Sequence, residues 1–170
     1  MDIKEKIRVI EDFPVEGISF KDITTLLSDG EAFNFSINEM IRMIGDLEFD
    51  VIVAPEARGF LIGSPISFQM KKPFVPIRKK GKLPFETLTY EYELEYGTDI
   101  LEVHNDAIKP GDRVLIVDDL LATGGTVKAI VEMVKKLGGE VVGLEFLIEL
   151  DFLKGRDLLK EYRVESLIQY

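Results

Sequence analysis

The stretch "RVLIVDD", residues 113 to 119, constrains the fold of this chain more than any other. Its core, Val114 to Val117, is an unbroken apolar run without the alternation of a half-exposed strand, and such runs belong to strands covered on both faces. A helix pattern follows, with Val127, Ile130, Val131, Val134 and Leu137 at helical spacing and "LGG" to stop it. "EVVGLEFLIEL" then reads as the next strand. Strand, helix and strand in that order imply a right-handed crossover, hence an α/β fold with a central, mostly parallel sheet and helices on both faces.

The rest of the chain fits this frame. "EAFNFSINEMIRMIG" places Phe33, Ile37, Met40, Ile41 and Ile44 on one helical face, and "DVIVAPEARGF" is a short apolar strand entering a turn. "FLIGSPISFQM" reads as a mostly buried helix despite Pro65, and "KPFVPIRKKGK" as a strand followed by a basic loop. In "TLTYEYELEYG", tyrosines and Leu94 alternate with glutamates, the period of a half-exposed antiparallel strand. This stretch reads as a small hood, with "DILEVHNDAI" pairing back against it. The 170 residues predict a single domain, 1–170, with a flexible hood loop at about 79–97.

Composition excludes several functions. There is no cysteine, so neither a disulfide framework nor a thiolate nucleophile or metal site is available. The N-terminal "MDIKEKIRVIEDFP" mixes acids with bases and lacks the apolar core of a signal peptide. No apolar run approaches the roughly 20 residues of a membrane span. A soluble, cytoplasmic protein without membrane contact is the expectation. With 31 acidic and 21 basic residues the net charge is −10, which opposes nucleic-acid binding. That charge is unevenly spread: between Ala57 and Phe85 there is no acid, yet Arg58, Lys71, Lys72, Arg78, Lys79, Lys80 and Lys82 all fall there. A small polyanionic ligand would suit this window, as would a solvated basic edge.

The apolar strand ends in Asp118 and Asp119, and "LLATGGT" opens the following helix. In open α/β sheets ligands bind at the carboxyl ends of strands. Backbone amides from Ala122 through Thr123, Gly124 and Gly125 to Thr126 can ring a phosphate, helped by two hydroxyls and the helix dipole. The loop lacks the lysine of a P-loop and the spacing of a dinucleotide fingerprint. Two carboxylates beside a phosphate repel it unless a neutral diol or a divalent cation stands between them. A ribose 5-phosphate carries both the diol and the phosphate.

"VLIVDDLLATGGT" closely resembles the phosphoribosyl-diphosphate motif of type I phosphoribosyltransferases, in the form found in the family's adenine-specific branch. "FPVEGISFKDITTLL", "PEARGF", "RKKGKLP" and "LEYG" resemble further segments of that branch in the same order, so the likeness spans the chain. Lys21, Ser19 and the pair Ala54 and Pro55 depart from residues common in the family. The resemblance implies transfer of a 5-phosphoribosyl group from its 1-diphosphate donor to adenine, giving AMP and pyrophosphate, with magnesium carried mainly by the substrate and a homodimeric assembly.

The same resemblance implies roles for individual residues. Asp118 and Asp119 would hold the ribose hydroxyls, and Ala122 to Thr126 the 5-phosphate. Arg58, Arg78, Lys79 and Lys82 would face pyrophosphate, leaving Lys71, Lys72 and Lys80 as surface lysines. Within a base-recognition segment at about 13–27, Phe20 would stack on the purine while backbone groups of Ser19 and Lys21 read its edge. Glu95 resembles the acid/base residue beside the purine, with Tyr96 packing over the site. His104, the single histidine, reads as a surface or interface residue. The alternatives are a transferase for hypoxanthine, guanine or xanthine, and a non-catalytic regulator of the same fold that senses the donor.

Overall fold

A computed structural model describes residues 1–94 and 97–170, and it divides the chain into two compact units, residues 1–39 and 40–170. In the first unit β1 (Arg8–Ile10) pairs antiparallel with β2 (Phe20–Asp22), followed by the short helix α1 (Thr24–Leu27). Arg8 is tied to Asp22 and Lys6 to Asp29, each at 2.8 Å. Asp29 also accepts the Ala32 amide and so caps α2 (Gly30–Ile44). Ala32, Ile37, Met40 and Ile44 of that helix are buried, the stripe that its periodicity predicts.

The second unit is built on seven strands. They are β3 (Val51–Pro55), β4 (Phe74–Lys79), β5 (Thr87–Leu94), β6 (Gly97–His104), β7 (Arg113–Leu121), β8 (Glu140–Glu149) and β9 (Val164–Gln169), lying in the order β5-β6-β4-β3-β7-β8-β9. Pairings among β4, β3, β7, β8 and β9 are parallel, and β6 joins β4 and β5 antiparallel. The sheet is covered on both faces, as the apolar run of β7 requires. On one face Val127, Ile130, Val131 and Val134 of α4 (Gly125–Lys136) share a core with Val53, Val114, Ile116 and Phe146. The opposite face carries α3 (Arg58–Met70), where a Cβ on Gly63 would stand 3.0 Å from the Ala54 Cβ, so helix and strand are in direct contact.

Two elements differ from their sequence reading. α3 is not mostly buried: Ile62 and Ile66 are covered, but Phe68 is 87% and Leu61 44% exposed. An apolar run does not reveal which side of a helix meets the sheet. The tyrosine-rich segment is not set apart from the core either, because β5 extends the main sheet through β6, and Leu88, Tyr90 and Tyr92 pack against the α4-side core. The alternation holds from Tyr90 to Glu93, with Glu91 and Glu93 exposed and Tyr90 and Tyr92 half-buried, but Leu94 at the strand end is exposed rather than inward. His104 ends β6 with its ring edge-on to Phe85, 6.3 Å between centroids.

Candidate active site

The site grows from the carboxyl end of β7. The strand continues two residues beyond the acids, Leu120 pairing with Ile148 and Leu121 with Glu149, which fixes the backbone on both sides of Asp118 and Asp119. Asp119 is 4% exposed. Its Oδ2 lies 2.9 Å from Arg58 Nε but makes no aligned hydrogen bond there. Asp118 Oδ1 accepts the Asp119 amide at 2.8 Å. A Cβ on Gly59 would stand 2.8 Å from that same oxygen, so a glycine at the start of α3 lets the helix approach the acid.

Burial raises both carboxyls above the ordinary range. Asp118 rises well above it because the charge of Asp119 adds to the desolvation, while Arg58 partly opposes the rise at Asp119. Two adjacent acids of this kind favour partners that bring positive charge or hydroxyl donors.

Beyond β7 the chain passes through Ala122 and Thr123 to Gly124, which precedes the first residue of α4 with φ at +86°. A Cβ at Gly124 would stand 2.8 Å from the Gly155 carbonyl oxygen, and one at Gly155 would collide with the Ala122 carbonyl oxygen. The glycine of the later "KGR" segment thus supports the loop from outside, a role without any signal in the sequence.

Asp118, Asp119, Ala122 to Thr126, Arg58 and Lys79 line one cavity of about 310 Å³. Their sequence separation is bridged by the parallel pairing of β4, β3 and β7, which brings three strand ends together. Arg78 and Lys82 do not line it. Arg78 Nε donates to Glu56 Oε1 at 3.2 Å, and that oxygen also accepts the Lys79 amide at 2.6 Å. Lys82 is exposed on the turn after β4. Glu56 and Ala57 are joined by a cis peptide bond and also line the cavity.

Tyr92 and Asp99 belong to the cavity as well, and sequence reasoning did not single them out. The Tyr92 hydroxyl is 3.2 Å from Thr126 Oγ1, and Asp99 is ion-paired with Lys79. The alternation of β5 put Tyr92 on the inner face, but nothing in the sequence marked its neighbours.

In the first unit, Phe20 is half-buried with its ring edge-on to Phe13, centroids 5.1 Å apart. The side chains of Ser19 and Lys21 engage polar groups, Lys21 Nζ donating to Ser19 Oγ and Ser19 Oγ to Glu11. Glu95 and Tyr96 lie outside the described residues.

The family model for the phosphoribosyl transferase domain matches residues 24–168. A relative named adenine phosphoribosyltransferase in Alkaliphilus oremlandii is 62% identical over 170 residues, covering all of this chain and 99% of that one. The enzyme of the same name in Clostridium novyi is 58% identical over equal coverage. The crystal structure of adenine phosphoribosyltransferase from Thermoanaerobacter pseudethanolicus superposes with a TM-score of 0.97 at 56% identity, over 99% of this chain and 98% of that one. The Saccharomyces cerevisiae enzyme, solved with adenine and an imino-altritol bisphosphate, gives 0.91 at 38% identity over 98% and 96%. With the motif, the fold and the full-length likeness in agreement, the chain belongs to the phosphoribosyl transferase family.

Proposed function

We propose that this protein transfers the 5-phosphoribosyl group of 5-phosphoribosyl 1-diphosphate to adenine, releasing pyrophosphate and forming AMP. The observation that carries the reading is the meeting, in one cavity, of two buried acids, a glycine-bounded loop opening a helix, and the cations Arg58 and Lys79. Relatives at 56–62% identity that carry the name adenine phosphoribosyltransferase support the choice of base.

The chemistry follows from charge. Breaking the anomeric carbon–oxygen bond builds positive charge on the ribose and negative charge on the departing pyrophosphate. Asp118 and Asp119 hold the ribose hydroxyls and stabilise the first, and the Ala122 to Thr126 amides fix the 5-phosphate. Arg58 and Lys79 stabilise the second. Magnesium bound to the donor would neutralise phosphate charge; the Asp118 and Asp119 carboxylates are oxygen donors of the kind that ion takes, with Asp119 Oδ2 already 2.9 Å from Arg58 Nε. Among the described residues no group of three acid or histidine side chains is placed to hold a metal.

Glu95 acts as the acid or base at the purine ring, Phe20 stacks on it, and the backbone of Ser19 and Lys21 reads its edge. Of the expected 79–97 cover, residues 80–86 between β4 and β5 lie outside the sheet, and these close over the loaded site to exclude water. A homodimer is proposed on the family likeness, supported by the exposed Phe68 and Leu61 of α3. A cytoplasmic location is proposed likewise. Among the described residues no helix is long and apolar enough to cross a membrane.

A transferase assay with adenine, hypoxanthine, guanine and xanthine, with and without magnesium, tests the proposal. Adenine should be preferred by about 10²-fold or more in kcat/KM, because a mismatched exocyclic group leaves buried polar groups unpaired. Comparable efficiency with another purine would overturn the choice of base. Donor binding without turnover on any base would favour the regulator.

A further inference from the structure

Two groups proposed above to bind the donor have partners within the protein, and both partners come from the β5–β6 hairpin. The Lys79 ammonium is ion-paired with the Asp99 carboxylate. Thr126 Oγ1 lies 3.2 Å from the Tyr92 hydroxyl, which donates onward to Asp99 Oδ2 at 3.4 Å. Tyr92 and Asp99 are directly opposed in the antiparallel register, and Lys79 enters from β4, where it pairs with Leu101. All four side chains line the cavity that holds Asp118 and Asp119.

We propose that Asp99 and Tyr92 compete with the donor for its own binding groups, the carboxylate for the cation that takes pyrophosphate and the phenol for the hydroxyl that takes the 5-phosphate. This rests on the reading of Lys79 and Thr126 as donor ligands. Loading the donor exchanges Lys79 from Asp99 to pyrophosphate and Thr126 from Tyr92 to phosphate. After transfer, Asp99 recaptures Lys79 and so helps pyrophosphate leave.

Asp99 is suited to this role because it stays charged. Burial pushes its carboxyl up, but the hydrogen bond and charge of Lys79, the Ile100 amide and the Tyr92 hydroxyl outweigh that and hold it below the ordinary carboxylate value. A fixed anion beside the only described cavity cation on β4 lowers the fraction of protein whose Lys79 is free to bind. The apparent affinity for a ligand falls by that fraction. Asp99 is thus a positioning residue that trades donor affinity for product release.

The test is calorimetric titration of the intact protein with inorganic pyrophosphate plus magnesium, and separately with ribose 5-phosphate, for the parent and three variants. Asp99→Asn should bind pyrophosphate about 3- to 10-fold more tightly, the range for a cation otherwise engaged for most of the time. In turnover the same variant should show a lower donor KM and stronger inhibition by pyrophosphate, without a gain in kcat. A merely structural role for Asp99 would raise KM instead. Tyr92→Phe should tighten ribose 5-phosphate by more than it changes pyrophosphate, and an unchanged ribose 5-phosphate affinity overturns the competition even if Asp99→Asn does not fold. Lys79→Ala separates the two layers of the argument. If it weakens pyrophosphate while Asp99→Asn fails to strengthen it, the competition is wrong and the donor-ligand reading of Lys79 survives. If Lys79→Ala has no effect on pyrophosphate, both are overturned.

Discussion

Glu145 should make this protein lose stability as pH rises through neutrality. It sits on β8 between Val117 of β7 and Glu165 of β9, is 2% exposed, and its Oε1 has no hydrogen-bond partner among the described residues. Burial, then the charge of Glu165, pushes its carboxyl from 4.5 up to about 8, with Arg163 opposing. Arg163 offers little more, because its guanidinium also serves Glu165 at 3.3 Å and the Met43 carbonyl at 2.7 Å.

The folded protein therefore keeps this proton up to about pH 8, while the unfolded chain releases it near 4.5. Between those values the folded state binds more protons, so stability is highest below the unfolded value and falls as pH rises. The slope approaches 1.4 kcal/mol per pH unit, and the whole loss is about 4–5 kcal/mol, a large share of the stability of an ordinary domain. Glu145→Gln keeps the shape without the charge. Its buried amide costs about 1–3 kcal/mol if unpaired, but that cost does not change with pH. Guanidinium unfolding of both proteins from pH 5 to 9 is the assay. The stability of the variant minus that of the parent should climb by several kcal/mol across the series. Parallel curves would refute the burial argument, since they would mean that Glu145 titrates alike in the folded and unfolded states.

Asp118→Asn and Asp119→Asn should each lower turnover by about 10²-fold or more, because both acids face the ribose from the cavity wall. Near-normal kcat in both, at saturating donor and magnesium, would remove the acids from the mechanism. Gly124→Ala should cost about 2 kcal/mol or more from the left-handed backbone and the contact with the Gly155 carbonyl, and should raise the donor KM by displacing the loop. An unchanged KM in steady-state assays would show that the loop tolerates the shift.

Local order in the chain was enough to specify β7, α4 and the loop between them. The apolar run, the helical spacing after Thr126 and the glycines are all short-range patterns, and short-range patterns govern backbone conformation directly. The family likeness added roles to the same residues. What remained hidden depends on strand register and on which face meets a neighbour. The acid-free window contained Arg58, Arg78, Lys79 and Lys82 without distinguishing them, whereas the sheet puts Arg58 against Asp119, hands Arg78 to Glu56 and brings Asp99 to Lys79. Glu145 stands in an apolar stretch that reads equally well with that side chain in or out; only the placement of β8 between β7 and β9 buries it. Periodicity is a property of neighbours along the chain, but the charge a side chain meets is set by residues tens of positions away, and only the folded sheet brings those within reach.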